Sequence, residues 1–284
     1  MKRIGYAIVI AHVLLSGAKW AEQEQRNNLD LRMILDQTAA YCEKLKTTAL
    51  KFVCDETVTQ TVFCKPLNTK FGFWRPILFL APNPESFRYL YYLEQYGQVI
   101  NENRTLIMKN NKKTFKEKAR LNTRFHHQLV VFGPYVFNRE RQAYYDYQID
   151  PVQPEQDPHL IAIRVTTKNP GVMPFGSGTF WIDKRDFTIQ RIELMQENVS
   201  GFEVVERIAK NLRAVPRFTI VQEYDLVKRG IRFPNRAWLQ EMYLDESEMT
   251  KTVFSEIEVV YDNYQFFQVG TSVEVNGFGK KNNG

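Results

Sequence analysis

The chain has 284 residues, of which 44% are hydrophobic and 25% are charged, and its formal net charge is a modest +6. This composition is ordinary for a folded protein and excludes global disorder. With 20 Phe and 14 Tyr, the aromatic content suits half-buried pleated surfaces and argues against an all-helical fold.

Residues 1–18 have the pattern of a signal peptide. A basic start leads into an apolar stretch, 4–15, that is too short to span a bilayer comfortably, and small residues precede a cleavage site after Ala18. An uncleaved anchor is the alternative, but the polar residues 19–28 show no stop-transfer pattern. We therefore predict a soluble mature protein in the periplasm, with no transmembrane span and no nucleic-acid partner.

The first predicted element of the mature chain is one amphipathic helix over residues 30–49. Asp30 is a capping-type residue ahead of an apolar stripe at helical spacing. The stripe consists of Leu31, Ile34, Leu35, Thr38, Tyr41, Cys42, Leu45 and Ala49. Such a stripe requires a surface to cover.

The three cysteines, Cys42, Cys54 and Cys64, are an odd number for an oxidising compartment. Cys42 falls in the helix and Cys54 at the start of the next strand, a separation that a helix folding back on its strand could close. We favour a Cys42–Cys54 disulfide, and Cys54 with Cys64 is the alternative. A zinc site is not expected, because no suitably spaced His accompanies the cysteines.

About ten strand-like segments follow the helix. They are residues 52–64, 87–93, 99–108, 144–149, 160–167, 179–183, 187–196, 217–228, 231–244 and 253–267. Their short connections require antiparallel neighbours, and so many twisted strands curl into a half-barrel with one concave face. We predict a mainly β single domain over 19–270, with the proline-rich stretches 66–84 and 151–158 as loops and 271–284 as a frayed tail.

Residues 109–120 carry an unusual excess of positive charge. The basic residues are Lys109, Lys112, Lys113, Lys116, Lys118 and Arg120, against the single acid Glu117. We interpret the run as a solvated loop or helix face, and a patch for an anionic partner is the alternative.

Residues 178–193 resemble the strand-turn-strand signature of bacterial outer-membrane lipoprotein-sorting (LolA/LolB-like) proteins. In that signature a strand of the form Gly-x-x-Trp-hydrophobic-Asp, here Gly178 to Asp183, passes through a short turn into a strand that ends in a basic-hydrophobic-acid triplet, here Arg191 to Glu193. From about 31 to 269 the chain is also similar to uncharacterised exported proteins of this type. The similar segments are 41–45, 52–56, 141–147 and 230–234.

This resemblance implies a curved sheet of roughly eleven strands, with helices closing its concave side over a cavity for acyl chains. Members of the family include lipoprotein carriers and sensors of envelope stress. The resemblance therefore implies that the partner is a lipid or the acyl chains of a lipoprotein, with an envelope protein as a further partner.

Three groups of residues are candidates for the cavity wall or its lid. Within the apolar, proline-bounded stretch 71–82 they are Phe73, Trp74, Ile77, Leu78, Phe79 and Leu80; on two strands they are Phe87, Tyr89, Tyr91 and Leu93, and Phe218, Ile220 and Tyr224. The stretch 71–82, like 130–137, is interpreted as a core plug or, alternatively, as a movable lid or contact surface. The strand residues are candidates for the ligand wall, with plain core as the alternative, and alternation alone does not say which parity faces inward.

No catalytic motif is present. The chain lacks Gly-x-Ser-x-Gly, His-Glu-x-x-His and a phosphate-binding loop, and its four histidines show no convergence on a metal. We therefore predict a non-enzymatic binding protein without metal or cofactor. A scaffold whose cavity is only a filled core, and an enzyme with an unrecognised site, are the alternatives.

Overall fold

The computed structural model describes residues 31–47, 51–68, 74–78, 82, 84–96, 99–121, 123, 130, 132–155, 157–169, 177–196, 203–228, 230–245 and 250–267. The predicted signal peptide over 1–18 and the predicted tail over 271–284 lie outside the described residues. These two segments and the predicted extent of the domain, 19–270, stay predictions.

Four helices and fifteen strands are described. The helices are α1 (31–47), α2 (Phe132–Phe137), α3 (Arg139–Gln142) and α4 (Glu203–Leu212). The strands are β1 (Lys51–Val62), β2 (Cys64–Asn68), β3 (Trp74–Leu78), β4 (Glu85–Tyr96), β5 (Val99–Lys109), β6 (Lys112–Lys116), β7 (Tyr145–Ile149), β8 (Leu160–Thr167), β9 (Ser177–Asp183), β10 (Ile189–Gln196), β11 (Val215–Glu223), β12 (Leu226–Lys228), β13 (Ile231–Phe233), β14 (Arg236–Asp245) and β15 (Thr250–Phe266).

Eleven of these strands form one antiparallel sheet. Its order is β6-β5-β4-β1-β15-β14-β11-β10-β9-β8-β7, so β6 and β7 are its two edges. The strands from β7 to β15 follow one another as a meander, interrupted by the ribbon β12–β13, and β1 pairs with β15 in the middle of the sheet. The predicted antiparallel meander and the roughly eleven-stranded sheet that the resemblance implies are both confirmed.

One face of the sheet is buried along almost its whole width, and β1 shows why. Its odd and even positions alternate between half-buried and buried side chains, and the buried row is Phe52, Cys54, Glu56, Val58 and Gln60. The opposite row is Val and Thr with Asp55, which suits a pleated surface in contact with water. We call the buried face of the eleven-stranded sheet the inward face.

Several short elements cover the inward face. The helix α1 buries Ile34, Cys42 and Leu45 in the core. The backbone of β13 is held to α1 by Tyr41, whose hydroxyl donates to the Arg232 carbonyl at 3.1 Å and accepts from the Arg232 amide at 3.1 Å. The predicted helix and its covering role are thus confirmed over residues 31–47.

The predicted long strands 217–228 and 231–244 are each divided in the structure. The chain leaves the sheet after Glu223, forms the separate ribbon β12–β13, and re-enters the sheet at Arg236. Asn235 holds this corner with two hydrogen bonds. Its side-chain oxygen accepts from the backbone N–H of Asp225 at 2.9 Å, and its backbone N–H donates to the Glu223 carbonyl at 3.0 Å. The ribbon is thereby free to fold over the inward face.

The basic run contains a strand at its centre and a loop at its end, 117–120, and no helix. Its central part forms the edge strand β6, whose side chains are all exposed, and β6 pairs with β5 through a turn at Asn110 and Asn111 with φ of 48° and 60°. Consecutive Asn residues tolerate this left-handed backbone and close a tight hairpin. The predicted solvent exposure is confirmed, and the predicted loop is correct for 117–120 but wrong for 112–116, which form a strand.

The predicted Cys42–Cys54 disulfide is absent from the structure, as is the alternative Cys54–Cys64. All three thiols are free and buried. Cys42 lies within electrostatic range of Tyr147 and Tyr224, and Cys54 lies near Glu56 and Tyr264.

Gly178 provides a test of the sheet register in the segment that carries the family resemblance. A Cβ at this position would lie 2.2 Å from the Glu193 carbonyl oxygen on β10, so Gly178→Ala must push β9 and β10 apart. We expect a loss of roughly 1–3 kcal/mol or more in the free energy of unfolding. Denaturant unfolding checks this, with Ser177→Ala on the same strand as control; equal stability of the two variants would contradict the register.

Candidate functional site: the inward face of the sheet

The four candidates on β4 lie together on the inward face. Phe87, Tyr89, Tyr91 and Leu93 each have 0% exposure, which settles the parity that alternation left open. Tyr91 contacts Phe52 and Tyr261 with ring centroids 5.9 and 6.0 Å apart. These rings make a continuous aromatic surface across β4, β1 and β15.

The three candidates on β11 and its end face the same interior. Phe218 and Tyr224 are buried, whereas Ile220 is only half-buried although it packs against the same core. Between β4 and β11 lie β1, β15 and β14, so the two candidate groups are separated by four strand spacings, roughly 19 Å. The structure therefore places both groups on one face, at separate positions within one hydrophobic core.

The stretch 71–82 is described only in part. Trp74, Ile77 and Leu78 belong to β3, which pairs with β2 in a two-stranded ribbon that is separate from the large sheet. Phe73, Phe79 and Leu80 lie outside the described residues. Whether this stretch plugs the interior stays a prediction.

A buried ion pair lies within the apolar surface. Arg104 on β5 donates to Glu56 on β1 through Nε at 2.5 Å and through a terminal nitrogen at 2.9 Å, with the Glu56 side chain fully buried. Burial works against the charged guanidinium, but the hydrogen bonds and charge of Glu56 outweigh it and raise the pKa of Arg104. The guanidinium also lies 4.5 Å from the Tyr91 ring centroid.

Glu102 extends this polar group on β5. Burial raises the pKa of its carboxyl, although a hydrogen bond from the Tyr91 hydroxyl at 2.7 Å and the nearby charge of Arg104 oppose the rise. A second polar group lies further along the sheet, where Glu241 accepts from the Tyr243 and Ser255 hydroxyls at 2.7 and 2.6 Å. The inward face is therefore mainly apolar and contains embedded polar groups.

The phenol of Tyr261 lacks a hydrogen-bond partner within the described part of the chain. Its side chain is 1% exposed, and it stands on β15, the strand midway between β4 and β11. Desolvation by burial, followed by the nearby charge of Glu56, raises the pKa of Tyr261 far above its usual range, so the hydroxyl keeps its proton. A protonated donor buried without an acceptor is uncommon in folded proteins.

Other tyrosines tie the covering elements to the interior. Tyr264 donates to the Pro234 carbonyl and Tyr147 to the Val136 carbonyl on α2, each at 2.7 Å. The Tyr224 hydroxyl accepts a hydrogen bond from the Gly133 amide at the start of α2. A Cβ on Gly133 would lie 3.0 Å from the Ile189 side chain, so this helix lies almost directly on the sheet. The covers are thus held by a few local contacts.

The turn between β9 and β10 anchors the ribbon from one side. Asp183 is buried and accepts from the Arg185 side chain at 2.6 and 2.9 Å and from Gln190 at 2.8 Å. Hydrogen bonds from Arg185 outweigh desolvation and lower the pKa of Asp183 to about 2. Arg232 on the ribbon donates to Thr188 at 2.9 Å and lies 3.9 Å from Asp183.

A polar cleft of about 450 Å³ opens between α1 and α3 on the outer side of the cover. Its walls carry Glu43, Lys44, Arg139 and Glu140, so both signs of charge line it. Among the described residues no group of three or more His, Cys, Asp or Glu side chains could hold a metal ion. The helices that the structure describes are all too short or too polar to cross a bilayer.

Sequence analysis missed the polar residues of the inward face. Glu56 and Gln60 share the parity of Phe52 and Val58 on β1, so the alternation that identified the strand also contained the signal for them. The acidic pair Glu256 and Glu258 on β15 lies on the outer face, with Gln240 and Arg236 as partners.

Comparisons with known proteins gave three matching chains of solved structures, two of which are described here. One is a LolA superfamily protein from Nitrosomonas europaea, with 10% identity, a TM-score of 0.37, and coverage of 84% of this chain and 94% of that one. The other is a DUF1329 family protein from Desulfovibrio piger, with 11% identity, a TM-score of 0.36, and coverage of 85% and 94%. No family model and no curated protein matches the chain. Likenesses this distant carry no argument about function.

The buried ion pair is testable by a double-mutant cycle. Arg104→Met leaves the Glu56 carboxylate buried without its cation, and we expect it to destabilise the fold by about 3–5 kcal/mol. The double variant Glu56→Gln/Arg104→Met removes both charges and should recover most of that loss, as measured by denaturant unfolding. Arg88→Met is the control, because Arg88 is 47% exposed in its pair with Asp55 and should cost only about 0–1 kcal/mol.

Asp183 makes the free energy of unfolding depend on pH in the acid range. Its pKa is lowered from 3.8 to about 2 in the folded state, so its contribution to stability is complete above about pH 4 and is lost as pH falls through 2. With allowance for the exposure of Arg185, we expect on the order of 1 to 2 kcal/mol.

Asp183→Asn should remove this part of the pH dependence. Unfolding free energies between pH 2 and about 6 measure the effect, with Asp146→Asn as control because that carboxylate is 63% exposed. Parallel curves for wild type and Asp183→Asn would contradict the assignment.

Proposed function

We propose that this protein binds an amphiphile without covalent chemistry, holding its acyl chain against the inward face of the sheet. The observation that carries the proposal is the unpartnered phenol of Tyr261, a buried donor midway between the apolar groups on β4 and β11. A ligand that lies across this face meets apolar side chains at both ends and a hydrogen-bond donor between them. Carrying lipoproteins and sensing envelope lipid are two roles that such binding serves.

The covers of the inward face support reversible binding. The helix α3 is four residues long, buries none of its side chains, and is tied to α1 by a hydrogen bond from the Gln142 side-chain amide to the Leu35 carbonyl. Elements held by so few contacts open at a lower free energy than the sheet beneath them. A ligand can then enter without unfolding the sheet.

A filled core without a ligand is the second candidate function, that of a scaffold. It is favoured by the close ring contacts between β1, β15 and the ribbon, where the Phe52 ring centroid lies 5.0 Å from that of Tyr264 on β15 and 6.2 Å from that of Phe233 on β13. Native mass spectrometry of the purified protein, with organic extraction and lipid analysis, separates the two candidates. Bound amphiphile in the purified protein supports amphiphile binding. A protein that carries no amphiphile, and whose free energy of unfolding is the same before and after extraction, supports the scaffold.

Tyr261→Phe tests the role of the unpartnered phenol. Because the hydroxyl has no acceptor among the residues that the structure describes, its removal should leave the free energy of unfolding unchanged or raise it slightly, while the amount of co-purified amphiphile falls. Denaturant unfolding of the extracted protein and lipid analysis of the native protein measure the two effects.

The matched control is Tyr264→Phe. This change removes a hydroxyl that donates to the Pro234 carbonyl at 2.7 Å, and it should cost about 0.5–1.5 kcal/mol of stability. Undiminished ligand in Tyr261→Phe, or no ligand in the wild type, would overturn the proposed role of Tyr261.

A further inference from the structure

The edge strand β6 and the residues that follow it form an exposed cationic surface. We call it the basic edge and define it as Lys112, Lys113, Phe115, Lys116, Lys118 and Arg120. The side chains of all six are exposed, and Phe115 at 74% is among the most exposed large apolar residues described.

The charges of the basic edge are not neutralised locally. Glu117 is the only acid between 109 and 120, and none of the five cations forms an ion pair with a residue that the structure describes. The neighbouring Lys109 differs, because it pairs with Glu85 at 3.3 Å on the adjacent strand. The net charge of the basic edge therefore faces solvent.

Strand geometry presents the cations on both sides of the edge. Lys112 is the cross-strand partner of Lys109 and shares its face, and Lys116 follows at the same parity; Lys113 and Phe115 occupy the opposite face. Since β6 pairs with β5 alone, a flat surface that meets the sheet edge-on reaches both rows together with the outer backbone amides.

Protection of an edge strand explains the lysines but not the aromatic ring. Lysines on an edge discourage pairing with other chains, whereas an exposed Phe invites association. A cationic strand with a protruding aromatic side chain has the chemistry of an interfacial membrane contact, in which lysines meet anionic headgroups and the ring enters the acyl boundary. A folded acidic protein would need a recess at one defined place for Phe115, while a bilayer accepts the ring anywhere.

We propose that the basic edge binds membrane surfaces that contain anionic phospholipids. This binding goes beyond the proposed interior site and does not rest on it, because the basic edge is exposed whether the interior is occupied or empty. It places the sheet edge-on against the bilayer, with α1 and the ribbon β12–β13 elsewhere on the molecule.

Vesicle flotation with the full chain tests the proposal. Vesicles of phosphatidylglycerol and phosphatidylcholine in equal parts should bind the protein, and vesicles of phosphatidylcholine alone should not. The triple variant Lys112→Gln/Lys113→Gln/Lys116→Gln should lower the partition coefficient at least about tenfold, and salt near about 1 M, where the Debye length is about 3 Å, should abolish binding. Phe115→Ser should lower it about fivefold while the salt dependence remains.

Two controls separate the basic edge from general charge and apolarity. Lys184→Gln/Lys210→Gln/Lys251→Gln removes the same charge from exposed sites elsewhere, and Val152→Ser removes an apolar side chain that is 77% exposed. Equal losses in the control triple and the basic-edge triple would overturn the proposal. Equal binding to both kinds of vesicle, or a dimer that the basic-edge variants dissociate without any vesicle binding, would also overturn it. Loss of interior ligand leaves this assay unaffected, so the two proposals fail independently.

Discussion

The pairing of β1 with β15 is the interaction on which the rest of the structure depends. It runs from Phe52 opposite Phe266 to Val62 opposite Ser255, and it joins an N-terminal group of four strands to the C-terminal meander. Without it each half would expose a central strand edge together with the apolar row on its inward face. The paired residues are about two hundred positions apart in sequence. Closing so long a loop costs chain entropy, and this cost must be met before burial of the paired strands stabilises the fold.

The same pairing determines the chemistry of the interior. It sets Glu56 opposite Tyr261, and the neighbouring strands bring Arg104 to Glu56 and Tyr91 to Tyr261. Tyrosine supplies most of the polar contacts on this face, because a phenol contributes apolar area and one hydrogen-bonding group in the same side chain. Several of these hydroxyls hold covers or carboxylates, whereas those of Tyr261 on β15 and Tyr145 on β7 have no partner among the described residues.

The sequence predicted the sheet well, because alternation and short turns are local signals. It could not choose the inward parity of β4, since both rows are rich in large apolar residues, and only the structure shows Leu90 at 42% exposure beside fully buried neighbours. The corner at Pro234 and Asn235 was visible as a proline within a strand pattern, yet its effect depends on a contact with Asp225 ten positions away. The helix α4 carries a buried stripe of Val205, Ile208 and Ala209, a signal that a helical-period search of that segment could have found.

From the sequence, the candidate site could be predicted only as one face of the sheet, without its individual polar contacts. Which apolar strands line an interior follows from parity, but the ion pair of Glu56 and Arg104 and the orphan hydroxyl of Tyr261 depend on strand order, which no local pattern contains. Cys42 and Cys54, the pair favoured for a disulfide, are both free in the structure.

During folding, burial of the three thiols competes with their oxidation. Once the core is formed, burial raises the pKa of Cys42 and Cys54 so far that hardly any thiolate exists, and the folded protein is inert to disulfide exchange. Before the core closes, the same thiols are ordinary nucleophiles, and any oxidant in the surroundings can couple an odd number of them wrongly or to another chain. The yield of native protein therefore depends on how quickly α1 and β1 become covered relative to the local oxidant, and a reductant present only during refolding would raise that yield without affecting the finished molecule.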